Sequence, residues 1–550
     1  MADIATSLIH LAGKLESPGW HRAALRPGAT QHRLLLRILK ENADTEFGRA
    51  HDFRTIRHHR DYQNRIPVGD FEAFRPRITR MMHGERSVLT RQAPRLFAIT
   101  SGTTGEPKYL PVTSRSVRDE FTLIRRWYYQ ALLDHPNFLD HQRLAIVGSA
   151  AEDKTWAGVP CGSASGMVFQ QIPNKLRRRY VVPDWVANIK DYDARYFVIA
   201  RCALAAPISF IATPNPSTLI RLADVVDGEK ERLIRAIHDG TVGVALPNEA
   251  IAPLADSLKP ARDRARELQV LADRHGRLRP RDCWPDLSLI GCWLGGSVGT
   301  QARKVTDHYG QVSLRDLGYM ASEGHFSVPF QDGTPSGLPA LKTTYFEFIP
   351  EEMTDQVNPE TVPLEDLEVG KRYSIVITTS SGLYRYDIND VIEVTESYKR
   401  TPVIAFVRKG GDMFSITGEK LHLNHILAAF EELCAHCHLT LDHYRVVPDL
   451  EDSCYAVFVE LARDMPPEAI TGEVVKELDQ ILARHNLEYA EKRASKRLGA
   501  PRLHVVRQGW AKAEQTRFTR LGQSDVQFKW KILCPEASED DRQAIVRTVQ

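Results

Sequence analysis

Apolar and polar positions alternate along the chain in three textures. Up to about residue 95 the spacing is helical and the polar faces are basic, as in HRAALRPGATQHRLLLRILKEN and RTIRHHRDYQNR. Ile4, Leu8, Leu11 and Leu15 recur at helical spacing and predict an amphipathic helix at the N-terminus. A later helix is predicted over SRSVRDEFTLIRRWYYQALL, with Phe121, Ile124, Tyr128 and Leu132 on one face. The middle of the chain sets short β-branched runs (RLAIVGS, FVIARCAL, ISFIATP and LSLIGCWL) between helical patterns, which predicts a mixed α/β core.

From about residue 340 strands dominate: TTYFEFIP, RYSIVITT, LYRYDINDVIEV and VIAFVRKG. After the pair Gly410-Gly411 comes a segment ordered helix (HLNHILAAFEEL), strand (HYRVVP), strand (CYAVFVEL), long helix (PEAITGEVVKELDQILARHN) and strand (RLHVVRQG). That order suits a small α+β domain of about 140 residues. The fold class is therefore α/β, with a large N-terminal mixed α/β domain over residues 1–411 and a smaller α+β domain over 412–550. The boundary is placed near Asp412.

Composition narrows the functional classes. The 550 residues are 43% hydrophobic and 26% charged, in the range of water-soluble globular proteins. A net charge of +2 makes no demand for nucleic acid, and the basic N-terminal stretch lacks interleaved aromatics. No apolar run is long enough to span a bilayer, and MADIATSLIHLAGKLESPGW does not read as a secretory signal. Eight scattered cysteines then point to reduced thiols in the cytoplasm. Cys434-Ala-His-Cys437-His438 has the spacing of a haem-attachment motif, but it closes a predicted helix, and buried free thiols are the default.

The stretch FAITSGTTGEPKYLPVTS, Phe97 to Ser114, sets two glycines, a proline, a lysine and several hydroxyls between strand-like runs. A hairpin would need only a few of these. Small residues that let N–H and hydroxyl groups reach phosphate oxygens, with a lysine for charge, suit a polyphosphate loop. It is not a Walker A loop: the second glycine comes too early, and Lys108 is followed by Tyr109 and a strand. Two later stretches offer matching chemistry. In LGYMASEGHF, Tyr319 suits a base, Ser322 a phosphate and Glu323 a hard cation, although a Ser-Glu pair also serves as a helix cap. In GLYRYDINDVIEV, an aspartate is suited either to both ribose hydroxyls or to an ion pair with Arg385.

TSGTTGEPK, YMASEG, YRYDINDV and VRKGGDMFSITGEKL occur in the order and spacing of the acyl-adenylate-forming superfamily. The doubled YRY, the QFK near the C-terminus and the overall layout resemble more narrowly the Gretchen Hagen (auxin-responsive) acyl-acid amido synthetases. The resemblance implies a fold of adenylate-forming type, ATP and Mg2+ as cofactors, and a small carboxylic acid and an amino acid as substrates. It implies that Ser101, Gly102, Thr103, Thr104, Gly105 and Lys108 embrace the ATP phosphates. By the same resemblance Tyr319 and Ser322 contact adenine and phosphate, Glu323 holds the metal, and Gly295, Gly296 and Ser297 line the other side of the base. Asp390 matches the ribose-binding aspartate, Arg408 the arginine before the hinge at Asp412, and Lys529 the lysine used in adenylation. This chain has Phe528 and Trp530-Lys531 where the plant pattern is QYKTPR, so Lys531 is a candidate substitute.

The acyl pocket is implied to lie beside the predicted helix holding Phe121 to Leu133, with Arg125, Arg126 and Tyr128 as candidate acid-binding residues. An ordinary core-and-surface helix explains those residues equally well. The expected enzyme is a cytoplasmic ligase that forms an amide through an acyl-adenylate, its smaller domain rotating between the two half-reactions. The rivals are an acyl-CoA ligase and a nucleotide or acyl-ligand sensor without turnover. The sequence does not fix the acid, the amine or the oligomeric state.

Overall fold

The computed structural model describes residues 4–100, 108–149, 153–246, 258–296, 299–354, 356, 359–410, 413–463, 465–514 and 531–550. The chain divides into two compact units, a larger one within residues 4–408 and a smaller one over Lys409–Gln550. Among the described residues no helix is long and apolar enough to cross a membrane.

The larger unit opens with helices over Ile4–Leu25, Pro27–Glu41, His59–Arg65 and Phe71–Met82. Proline at the first position starts the second, and Asp70 caps the last by accepting the N–H groups of Glu72 and Ala73. A buried glutamine fixes this layer to a sheet. Gln31 donates to the carbonyls of Leu341 and Thr344 at 2.9 Å and accepts the N–H of Phe346 at 2.8 Å. The expected apolar stripe of the first helix faces outward instead, Leu8, Leu11 and Leu15 being 59%, 54% and 73% exposed. The helix packs through another face: Trp20, Ala23 and Ala24 are buried, and a Cβ on Gly13 would lie 2.2 Å from the Tyr129 ring.

Two sheets carry the features that matter for function. The first is parallel and four-stranded, ordered Gln142–Ala145, Ile208–Ala212, Leu289–Gly291, Ser313–Arg315. Side chains of Val198, Ile211, Leu222, Ile290 and Val305 pack the strands against neighbouring helices. The run FVIARCAL, expected as a strand, lies in one of these helices, Tyr192–Leu204, capped by Asp191. Every residue from Tyr196 to Leu204 is buried, and a helix buried on all sides has no polar face to reveal its period.

The second sheet has seven strands, ordered Ser327–Pro329, Gly337–Pro339, Thr401–Lys409, Tyr386–Tyr398, Arg372–Thr378, Tyr345–Pro350 and Val362–Pro363. In the Arg372–Thr378 and Tyr386–Tyr398 pair, Ser374 faces Val391 while Val376 faces Asp387, so residues 388–390 bulge opposite Ile375. Asn389 takes φ +56 there, and its N–H bonds the Asp387 carboxylate at 2.8 Å. Bulges re-aim side chains next to active sites, and this one carries Asp390.

The smaller unit is a four-stranded sheet, Leu441–Asp449, Cys454–Leu461, Arg502–Val506 and Ile545–Val549, packed on helices Leu423–His436 and Gly472–His485. Buried Arg445 donates to Asp541 at 2.8 Å, to Glu514 at 2.8 Å and to the carbonyl of Lys531 at 3.2 Å. All eight cysteines are described, and all are free thiols.

Candidate active site

In open α/β sheets, ligands gather at the carboxyl ends of the strands. Past Gly291 the chain runs into Leu294-Gly295-Gly296, and past Arg315 into Asp316-Leu317-Gly318-Tyr319. One buried carboxylate joins these two turns. Asp316 accepts the N–H of Leu294 and the N–H of Gly318, both at 2.6 Å. Its acid is pushed up to about 7 because burial outweighs the two N–H donors that favour the charged form. The carbonyl of the same residue accepts the indole N–H of Trp127 at 2.7 Å, which ties the Ser114–Asp134 helix to the turns.

Glycine is required at two of these positions. Gly318 sits at φ +103, and a Cβ there would lie 2.2 Å from the Ser327 carbonyl oxygen. Gly296, at φ +61, would place a Cβ 2.7 Å from the Phe406 ring. The ring of Tyr319 lies against Phe406 with centroids 5.5 Å apart, and its hydroxyl donates to Asp390 Oδ2 at 2.6 Å. Burial, then the neighbouring Asp390, raises the Tyr319 phenol well above its ordinary value, so it stays a neutral donor. Gly296, Tyr319 and Asp390, expected from three separate motifs, are thus brought together, with Phe406 between the first two.

Ser322 and Glu323 occupy the turn between the short strands Met320–Ala321 and Gly324–His325, both half-buried. A Glu323 oxygen accepts the hydroxyl of Tyr386 at 3.3 Å. Among the described residues no group of three His, Cys, Asp or Glu side chains forms a metal cage. Mg2+ needs none, since it is usually held by one or two carboxylates plus substrate phosphates. Glu323, one oxygen lightly engaged, fits that part. Beside it, buried His325 is paired with Glu120 of the Ser114–Asp134 helix at 3.2 Å.

Other expected residues take different places. Lys108 begins the strand Lys108–Val112 with its ammonium 5.5 Å from the Phe71 ring centroid. Arg408, exposed near the end of the Thr401–Lys409 strand, is paired with Glu351. Arg385 is not paired with an aspartate: it forms a buried ion pair with Glu347 at 3.1 Å and donates to the Ile66 carbonyl at 2.7 Å. Arg125 and Arg126 turn toward the N-terminal helix, bonding Glu16 at 3.1 Å and Ser17 at 3.0 Å. Tyr128 lies elsewhere on the helix, its hydroxyl 3.0 Å from that of Tyr180. The structure therefore does not bring the two arginines together with Tyr128. Ser101, Gly102, Thr103, Thr104, Gly105, Ser297, Asp412 and Lys529 lie outside the described residues.

Sequence reasoning missed Asp316, Trp127 and Phe406. Asp316 stands one residue before the LGYMASEGHF stretch, and an acid directly after a buried strand was the available signal. Phe406 was hidden inside VIAFVRKG, where an aromatic simply reads as strand.

The fold matches that of acyl acid amido synthetases. A solved structure of that description aligns with TM-score 0.67 over 98% of this chain and 97% of the other, at 20% identity. The chain belongs to the GH3 family: its N-terminal domain profile matches residues 20–314, its central domain profile 337–409 and its C-terminal domain profile 424–538. An indole-3-acetic acid-amido synthetase of Arabidopsis thaliana is 25% identical over 73% of this chain and 70% of its own length. A jasmonoyl–L-amino acid synthetase of Nicotiana attenuata is 23% identical over 91% of this chain and 90% of its own.

Proposed function

We propose that this protein is an ATP-dependent acyl-acid amido synthetase, joining a small carboxylic acid to the amine of an amino acid. The observation that carries the reading is the bond from Tyr319 to Asp390, beside a ring that the glycine turn at Gly296 abuts. It supports the reading because an aromatic ring and a carboxylate suited to a base and a ribose lie side by side near the strand ends of the parallel sheet, in a chain whose relatives are amido synthetases.

The acid's carboxylate oxygen attacks the α-phosphorus of ATP. The bond to the β-phosphate breaks, pyrophosphate leaves, and an acyl-adenylate remains. An amino nitrogen then attacks the acyl carbon, AMP departs and the nitrogen loses a proton. Gly295 and Gly296 admit the base edge, and Asp390 accepts the ribose hydroxyls, with Tyr319 holding its second oxygen in place. Lys108 and the hydroxyl-rich loop neutralise phosphate charge, and Lys529 does so at the attacked phosphorus. Glu323 would hold Mg2+, which would supply Lewis-acid neutralisation of phosphate charge.

Acid-dependent pyrophosphate release with Mg·ATP, followed by mass analysis of products with pooled amino acids or coenzyme A, tests the reading. A new amide mass supports it. A thioester would move the protein to the acyl-CoA ligases, and no release with any acid would refute turnover.

A further inference from the structure

Among the described residues, the buried guanidinium of Arg143 has no ion-pair partner. Arg143, on the edge strand Gln142–Ala145 of the parallel sheet, is 2% exposed. Its main chain is satisfied: the N–H bonds the Arg179 carbonyl at 2.8 Å, and its own carbonyl accepts from Val181 at 2.9 Å. Its guanidinium is not. Nε and Nη2 make no hydrogen bond, and among the described residues no carboxylate lies within ion-pair distance. A guanidinium keeps its charge in a protein, and an uncompensated buried charge costs several kcal/mol. Such a cost is retained where a ligand supplies the counter-charge.

The surroundings point to that ligand. The guanidinium carbon is 5.9 Å from the Tyr180 ring centroid, and the Tyr180 hydroxyl is 3.0 Å from that of Tyr128. One phenol donates to the other, which leaves a second O–H to donate elsewhere. The rings of Trp127, Phe138, Phe210 and Phe169 pack around this pair. Phe121, Ile124 and Tyr128 stay only half-buried on the same helix face, whereas Leu123, Trp127 and Ala131 are fully buried. The guanidinium and the phenol pair therefore lie beside the partly buried apolar face of the helix whose Trp127 holds the Asp316 turn. The run Arg177-Arg178-Arg179 directly precedes Tyr180 and adds positive field.

We propose that Arg143, with the hydroxyls of Tyr128 and Tyr180, receives a second carboxylate on the acyl substrate, so that the acid adenylated is a dicarboxylate. This rests on the adenylation reading above. One carboxylate is presented to ATP, and the other is bound by the guanidinium fork, which suits two carboxylate oxygens better than a lysine would.

The test compares native protein with Arg143→Met and Tyr128→Phe, using succinate, glutarate, adipate, suberate and terephthalate against butyrate, hexanoate, octanoate and benzoate. Two readouts are taken, ligand-induced shift in Tm without ATP and pyrophosphate release with it. The native protein should prefer its best diacid to the matched monoacid at least tenfold in kcat/KM. Arg143→Met should abolish that preference while sparing monoacid turnover, and should raise the unliganded Tm because an unpaired charge is removed. Tyr128→Phe should weaken the preference severalfold. Equal loss for diacids and monoacids, or a lowered Tm with no diacid preference in the native protein, overturns the proposal. Sulfate protecting as well as the diacid would reveal a bare anion site and also overturn it. Monoacid-dependent pyrophosphate release unchanged by Arg143→Met, without diacid preference, refutes the receptor and keeps the adenylation reading. Arg143-dependent diacid binding without pyrophosphate release does the reverse.

Discussion

The phenol of Tyr319 donates to Asp390 at 2.6 Å across 71 residues of sequence, joining the end of the parallel sheet to the bulge of the seven-stranded sheet. Tyr319→Phe keeps the ring against Phe406 and deletes one donor to a buried carboxylate. The cost is about 1–3 kcal/mol, so the KM for ATP should rise by about tenfold or more while the KM for the acid holds. Steady-state kinetics with each substrate varied in turn checks this. An unchanged ATP KM would detach Asp390 from nucleotide binding.

Arg385 and Glu347 form an ion pair from which water is excluded, and Arg385 also carries the Ile66 carbonyl. Removing one partner strands the other charge. Arg385→Ala should cost about 3–5 kcal/mol, read as a lower urea midpoint for the larger unit. A midpoint within experimental error of the native one would show that Glu347 is satisfied in some other way.

Asp316 makes stability depend on pH. Its folded value, about 7, lies above the ordinary carboxyl value of 3.8, because burial disfavours the charged form. The contribution is full below the unfolded value, where both states are protonated, and is lost as pH rises through about 7. Asp316→Asn should flatten that decline, so the Tm gap between variant and native should move in the variant's favour from mildly acid to mildly alkaline buffer. Calorimetry across that window reads it, and parallel curves would contradict it.

Lys529→Ala should suppress pyrophosphate release by about a hundredfold, consistent with loss of one charge-stabilising contact. The same variant should keep its rate of amide formation from a supplied acyl-adenylate. Single-turnover assays of each half-reaction make the comparison, and equal losses in both would end the division of labour.

Tyr319, Asp390 and Gly296 were singled out through the motifs that carry the family resemblance, and the structure brings these three side by side. Phe197 to Leu204 misled because a fully buried helix and a buried strand carry nearly the same apolar run, broken here only by Arg201. Arg125 and Arg126 were left open between acid binding and an ordinary helix surface. Their helix contacts neighbours on several sides, and charge alone did not say that those arginines faced Glu16 and Ser17. Asp316 left only the signal of an acid directly after a buried strand, and Arg143 left none, because burial is a property of the assembled sheets rather than of the local sequence.

The Trp127 bond to the Asp316 carbonyl has a consequence for how such a protein diverges. It joins the helix that carries the candidate acid-binding residues to the turns proposed for ATP. On the proposed reading, substitutions at Phe121, Ile124 or Tyr128 re-tailor the acid and leave the anchor intact. A change at Trp127 disturbs the reading of both substrates together. Lineages with new acid preferences are therefore expected to vary around an indole that stays.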